Sequence, residues 1–168
     1  MARRGQGIKL SKPSKNQLSL QVLKKFRVIY GSVRQQFRDV EKTCGVTGSQ
    51  LWILQEVGKT PYIGVSELAG RLSVHQSTCS QLVEKLVARS LVIKERSKED
   101  QRRVGLRLSD KATAILKRAP GPAKGILPEA LQALSESALL SLDSSLIAVI
   151  KQLRDKDEKL ADKPLSDL

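Results

Sequence analysis

Between His75 and Lys85 the chain reads His-Gln-Ser-Thr-Cys-Ser-Gln-Leu-Val-Glu-Lys. At helical periodicity Cys79, Leu82, Val83, Leu86 and Val87 share one face, and Gln76, Ser77, Ser80 and Gln81 fall away from it. Glutamine can bond bidentately to adenine at N6 and N7, and serine suits either a base edge or a phosphate. Small polar residues at the N-terminal end of a helix let its backbone approach a major groove, while the apolar face docks on a preceding helix. Thr78 and Lys85 are placed for phosphate contacts, and His75 falls at or near the N-cap, within reach of phosphate. The same polar residues would suit a plain solvated face. The basic segment beyond them favours the reading chemistry.

That segment holds Lys94, Arg96, Lys98, Arg102, Arg103 and Arg107, six cations within fourteen residues, against Glu95, Glu99 and Asp100. Strand-like runs, Leu91 to Ile93 and Val104 to Leu108, bracket a charged tip and predict a hairpin. Cations at such a tip reach phosphates, and one arginine can enter a narrow minor groove. Asp100 is not attracted to a polyanion, so it is read as orienting Arg102 from within the turn.

Other chemistries find little support. His75 and Cys79 lie four residues apart, the helical spacing of a metal-ligand pair, yet no third ligand follows and Cys79 sits in the apolar stripe. No metal and no cofactor are expected. The chain has no glycine-rich phosphate loop, no nucleophile elbow and no set of acid, base and nucleophile, so an enzyme is not expected. Cys44 and Cys79, the two cysteines, lie far apart without a framework of others; this fits a reducing cytoplasm without structural disulfides.

The elements that must position these residues are set by pattern. The chain has 168 residues, 40% of them apolar and 3% aromatic, and a formal net charge of +13. One core of Leu, Val, Ile and Ala is expected, and the basic excess argues for a polyanionic partner. Residues 1–45 carry eleven Lys or Arg against two acids, and residues 66–118 carry twelve against six. Residues 1–15 read as a mobile basic arm, either adding DNA contacts or only aiding solubility. Residues 16–45 form a first helix, with Val22, Phe26, Ile29, Tyr30, Val33, Phe37 and Val40 on one stripe and Gly45 ending it. Thr47 and Gln50 make a capping box that opens a helix over Leu51 to Val57. Tyr62 to Gly64 suggests a short strand, and Ser66 to Leu72 a compact helix. Ser109 and Asp110 cap a further helix, which Pro120-Gly121-Pro122 interrupts. Helical patterns over Ile126 to Leu134 and from Leu139 to Leu153 come next, and residues 156–168 read as a fraying polar tail. The fold class is mainly α (α+β): a winged helix-turn-helix over 46–118, flanked by N- and C-terminal dimerisation helices over 16–45 and 119–155. The apolar stripes of those flanking helices predict a homodimer; the alternative is a monomer capped by its own three-helix layer.

The order Val65-Ser66-Glu67-Leu68-Ala69, Ser77 to Val83, Ser90-Leu91-Val92, then Glu99-Asp100-Gln101-Arg102-Arg103 resembles the MarR family of transcriptional regulators. The likeness spans Thr47 to Ala112. Asp100-Gln101-Arg102 matches the family's Asp-x-Arg wing pattern, which implies that Arg102 is the minor-groove arginine. The sequence departs from the family at Gln81, commonly basic, and at Ser90 and Ala112, commonly glycine. The resemblance also implies a small aromatic or phenolic effector between the dimer helices and the DNA module. Tyr30, Arg34, Phe37 and Trp52 are candidates to line that cleft, the aromatics being equally suited to plain core. Cys44, near Lys42, is a candidate redox-sensing thiol or a spectator.

These readings converge on a dimeric, sequence-specific, double-stranded DNA-binding regulator, a ligand- or stress-responsive repressor on a near-palindromic operator. It would be cytoplasmic and associated with the bacterial nucleoid when bound, and no membrane partner is expected. The alternative is a sequence-tolerant architectural nucleic-acid-binding protein.

Overall fold

The structure is a computed structural model that describes residues 12–96, 104–122 and 124–167. Within them the chain forms α1 (Lys15–Cys44), α2 (Gly48–Lys59), α3 (Val65–Leu72), α4 (Gln76–Ala88), β1 (Val92–Arg96), β2 (Val104–Leu108), α5 (Asp110–Arg118), α6 (Ile126–Gln132) and α7 (Glu136–Lys151). The mainly helical fold class read from the sequence is the one observed, with the two strands paired antiparallel from Val92 opposite Leu108 to Arg96 opposite Val104.

Local chemistry sets most boundaries. Ser14 and Gln17 form a reciprocal capping box at the start of α1, and Thr47 and Gln50 form another at α2; each satisfies backbone N–H groups that have no partner within the helix. Gly45, at φ +66°, ends α1 in the left-handed conformation that glycine adopts without steric cost. The Ser109 hydroxyl accepts from Ala112 N and caps α5. The strand suggested by Tyr62 to Gly64 is a single bridge between Ile63 and Leu106 on the edge of β2.

The core sits under α2. Leu51, Ile53, Leu54 and Val57 pack with Leu68 and Leu72 of α3, Leu82, Val83 and Leu86 of α4, Leu106 of β2 and Ile115 of α5. From α1 only the C-terminal part joins it, through Val40 and Cys44. Further back along α1, Phe26, Ile29 and Tyr30 are exposed, and α7 has no buried residue and leaves Leu140, Ile147 and Ile150 exposed.

The structure departs from the sequence reading at the exit of α4 and at the C-terminal tail. β1 begins at Val92 and not Leu91, because Leu91 N donates to Leu86 O and Ser90 N to Val87 O, the paired bonds of a Schellman turn closing α4. The turn holds Ser90 at φ +56°, where an L side chain crowds the following carbonyl at a cost of about 1–2 kcal/mol. Ser90→Gly should therefore raise stability by about 1 kcal/mol, seen as a higher denaturant midpoint with unchanged slope; a lower midpoint would refute the assignment. The tail, for its part, does not splay from the body. Glu158–Asp162 and Leu165–Asp167 form 3-10 turns, and the second packs on α2. Ser49 N donates to Ser166 Oγ (3.0 Å), and Ser49 Oγ to Asp167 Oδ1 (2.9 Å). The tail is polar, but α2 has first-turn donors without helical partners, and the tail supplies their acceptors.

Candidate nucleic-acid interface

α3 and α4 meet through a three-residue turn. Ser73, at φ +53°, closes α3 with Val74 N donating to Ala69 O and Ser73 N to Gly70 O. The chain then enters α4 at once, with His75 as N-cap. Its Nδ1 accepts from Ser77 N at 3.3 Å and lies 2.8 Å from Ser77 Oγ. This imidazole is engaged by its own helix, so His75 first orders the start of α4.

Along α4 Cys79, Leu82, Val83 and Leu86 are buried against the core. Gln76, Ser77, Gln81 and Lys85 are exposed, and Thr78 and Ser80 are half-buried beside them. The predicted reading face is thus one continuous polar surface. Opposite burial fixes its rotation, because turning α4 would bring the apolar stripe into water.

The hairpin stands next to this surface. Lys94 pairs with Glu84 of α4, and Arg107 Nε donates to Glu95 Oε2 across the strands at 3.0 Å. Those two cations of the predicted set are partly neutralised; the first pair ties the hairpin to α4, and the second braces the hairpin itself. Arg96 is exposed at the end of β1. Lys98, Asp100, Arg102 and Arg103 lie outside the described residues.

Two sets of contacts that sequence reasoning missed involve the long helix, and the first ties this surface to it. Arg89, just past α4, donates through one guanidinium nitrogen to Gly45 O (2.7 Å) and through another to Gln50 Oε1 (3.3 Å). Gln36 of α1 donates to Pro122 O (3.1 Å) and accepts from Ile126 N (2.9 Å), fastening α1 to the start of α6. The side-chain types carry no local signal for partners this distant in the chain.

A cavity of about 350 Å³ lies between α1, α2, α6 and the C-terminal tail. Of the four residues predicted for an effector cleft, Phe37 and Trp52 line it. Tyr30 and Arg34 do not; both are exposed further along α1, with the Arg34 guanidinium 5.6 Å from the centre of the Tyr30 ring. α6 covers only the later part of α1, so the predicted stripe divides between cavity wall and open surface. The indole N–H of Trp52 is buried and, among the described residues, has no hydrogen-bond partner.

Neither cysteine has the surroundings of a sensor. Cys44 is buried, and burial raises its thiol above the usual range, with Arg118 pulling the other way. The Cys79 thiol is pushed up to about 11 by burial. A reactive thiol needs exposure and a favoured thiolate, so the spectator reading of Cys44 has the better physical support. Because folding raises both thiols, their protonated forms contribute stability that is complete below the unfolded value near 9.0 and lost at higher pH, for Cys79 as pH rises towards 11. A thiol reagent at pH 8 should therefore leave both cysteines unmodified in the native protein and label both after denaturation. Fast native labelling of Cys44 would restore the sensing role. Among the described residues no cluster of His, Cys, Asp and Glu suits a metal, and no helix is long and apolar enough to cross a membrane.

The same geometry is found in known proteins. Residues 45–103 match the model of the MarR family. The chain is 27% identical over 143 residues to the HTH-type transcriptional repressor MdtR of Bacillus subtilis, covering 85% of this chain and 88% of that one. Among solved structures it resembles the YusO protein of Bacillus subtilis, with TM-score 0.51, 21% identity, and coverage of 84% of this chain and 100% of that one. It also resembles a cysteine-to-serine mutant of MarR from E. coli complexed with operator DNA, with TM-score 0.51, 20% identity, and coverage of 79% and 98%.

Proposed function

We propose that this chain is a MarR-type winged helix-turn-helix transcriptional regulator, as its similarity to that family's model over residues 45–103 and to MdtR supports, and that it is a homodimeric repressor that reads a near-palindromic operator with α4. The observation that carries the reading is α4 itself. Gln76, Ser77 and Gln81 are exposed at its N-terminal half, while Cys79, Leu82 and Val83 are fully or almost fully buried behind them. Glutamine and serine are the short polar groups that base edges can accept, and a helix held rigidly from behind can present them repeatedly in one register. Arg96, Lys98, Arg102 and Arg103 supply the adjoining backbone and minor-groove contacts, with Arg102 as the inserting arginine and Asp100 orienting it. Relatives support the class: MdtR is named a repressor, and one structural neighbour was solved with operator DNA. The family is one of regulators, not enzymes.

The dimer is supported by α1 and α7, whose uncovered Phe26, Ile29, Leu140, Ile147 and Ile150 leave an apolar surface that a second copy would bury. Two recognition helices on one symmetric body then meet half-sites about one helical turn apart. Arg89 gives the regulation a path, because a shift of α1 moves the Gly45 carbonyl that anchors the end of α4. An apolar or aromatic effector suits the cavity, with Phe37 and Trp52 among its walls. The protein would act in the cytoplasm, on the nucleoid.

Selection of bound duplexes from a random library at about 150 mM salt tests the reading, since non-specific phosphate binding weakens steeply with salt. Enrichment of a near-palindrome with half-sites about ten base pairs apart is expected. In a repeat with Gln81→Ala, preference should relax at one position per half-site at a cost of about 1–3 kcal/mol. A uniform loss would restrict Gln81 to the phosphates. Tight binding without any enriched motif would favour a sequence-tolerant architectural protein, the reading that the net charge of +13 also suits.

A further inference from the structure

The tail does something at α2 and α4 that the regulator reading does not require. Ser166 Oγ accepts from Ser49 N, and Asp167 accepts from both Ser49 Oγ and Ser166 Oγ (2.9 Å each), so a carboxylate stands at the N-terminal end of α2. Four residues before Ser166 in the chain, Asp162 O accepts from His75 N at 3.3 Å. That N–H belongs to the N-cap of the recognition helix. Between these two anchors Pro164 and Leu165 close one side of the cavity, and Ser73 and Val74 of the turn into α4 line it too.

We propose that Glu158–Asp167 is an autoinhibitory strap that holds the N-terminal end of the recognition helix and must be released for tight DNA binding. This rests on the DNA-binding reading above. Helix N-terminal ends carry partial positive charge and free N–H donors, which makes them sites for phosphate oxygens. The strap fills the His75 donor with its own Asp162 carbonyl oxygen, taking the place a phosphate oxygen would occupy at that helix end. Its hold is light: Leu160 and Leu165 remain 42% and 48% exposed, and the anchors are a few hydrogen bonds whose net contribution is small. Light anchoring suits a segment that has to come off. Because Pro164 and Leu165 also close the cavity, an apolar ligand entering there would displace the strap, coupling occupancy of the cavity to the freedom of α4.

The test is the full chain carrying Ser166→Ala and Asp167→Ala, which removes the acceptors for Ser49 and leaves the buried core untouched. Two quantities are compared with the parent protein: hydrogen exchange at the amides of Ser49 and His75, and affinity for the selected duplex. Faster exchange at both amides with affinity raised about fivefold is expected, the size of effect that releasing a contact or two produces. Faster exchange with equal or weaker affinity overturns the inhibitory role. Unchanged exchange overturns the anchoring itself. If neither protein binds any duplex, the DNA-binding reading fails and takes this inference with it, whereas equal binding by both strikes the strap alone.

Discussion

The double substitution Phe26→Asp and Ile29→Asp is expected to give a monomer whose affinity for its operator is at least ~100-fold below that of the parent protein. Both residues lie on the exposed stripe of α1, at 41% and 44% exposure, and neither belongs to the core under α2. Placing charges there leaves the folded chain intact but forbids burial of that stripe against a second copy, because an unpaired carboxylate cannot be moved cheaply into an apolar interface. DNA binding then suffers without any change in α4. A dimer binds its second half-site intramolecularly, and that advantage commonly amounts to about 10²–10⁴ in affinity. Light scattering or sedimentation would report the mass, and duplex binding the affinity. A parent protein that is already monomeric, or a monomeric variant that binds as tightly, would each overturn the two-half-site reading.

How far the sequence revealed this molecule depended on how local the determining physics was. The capping box at Thr47 and Gln50, the Ser109 cap, the glycine stop at Gly45 and the split faces of α4 were legible, since each is set within four or five residues along one helix. At Ser90 the resemblance, which commonly puts glycine there, pointed to the special position that the structure holds at φ +56°. What stayed hidden was chosen by packing between distant segments. Arg89 looks like any surface arginine until α1 brings the Gly45 carbonyl to it, 44 positions away. Ser166 and Asp167 look like a polar end until α2 offers them the amide and the hydroxyl of Ser49. The stripe from Tyr30 to Phe37 has one period throughout, and only the place where α6 meets α1 decides that Phe37 lines the cavity and Tyr30 does not. At the interface, α4 was read closely. The arginines expected to carry the wing's minor-groove contact, Arg102 among them, rest on the sequence pattern.

Gly105→Ala should cost about 3 kcal/mol, at the upper end of what overpacking usually costs, and lower the melting temperature by roughly 6–12 °C for a chain of this size. Gly105 pairs with Glu95 in the hairpin, and on its other side runs the backbone of Tyr62. A Cβ built on Gly105 would stand 2.5 Å from both Cα and O of Tyr62. The obstacle is main chain and not a side chain that can swing aside. Tyr62 has little freedom to retreat, because Tyr62 N donates to Leu106 O (2.8 Å), Leu106 N donates to Ile63 O (3.1 Å), and Tyr62 itself sits at φ +67°. Relief must therefore come from parting β2 from the segment before α3. Since α3 carries the turn that leads into α4, that movement shifts the hairpin relative to the recognition helix. The variant should lose DNA affinity even at temperatures where most of it remains folded, and the loss should fall on backbone contacts made by the wing, flattening the dependence of affinity on salt. A Gly105→Ala protein with parental melting temperature and parental salt slope would show that the close approach to Tyr62 does not hold the hairpin in place.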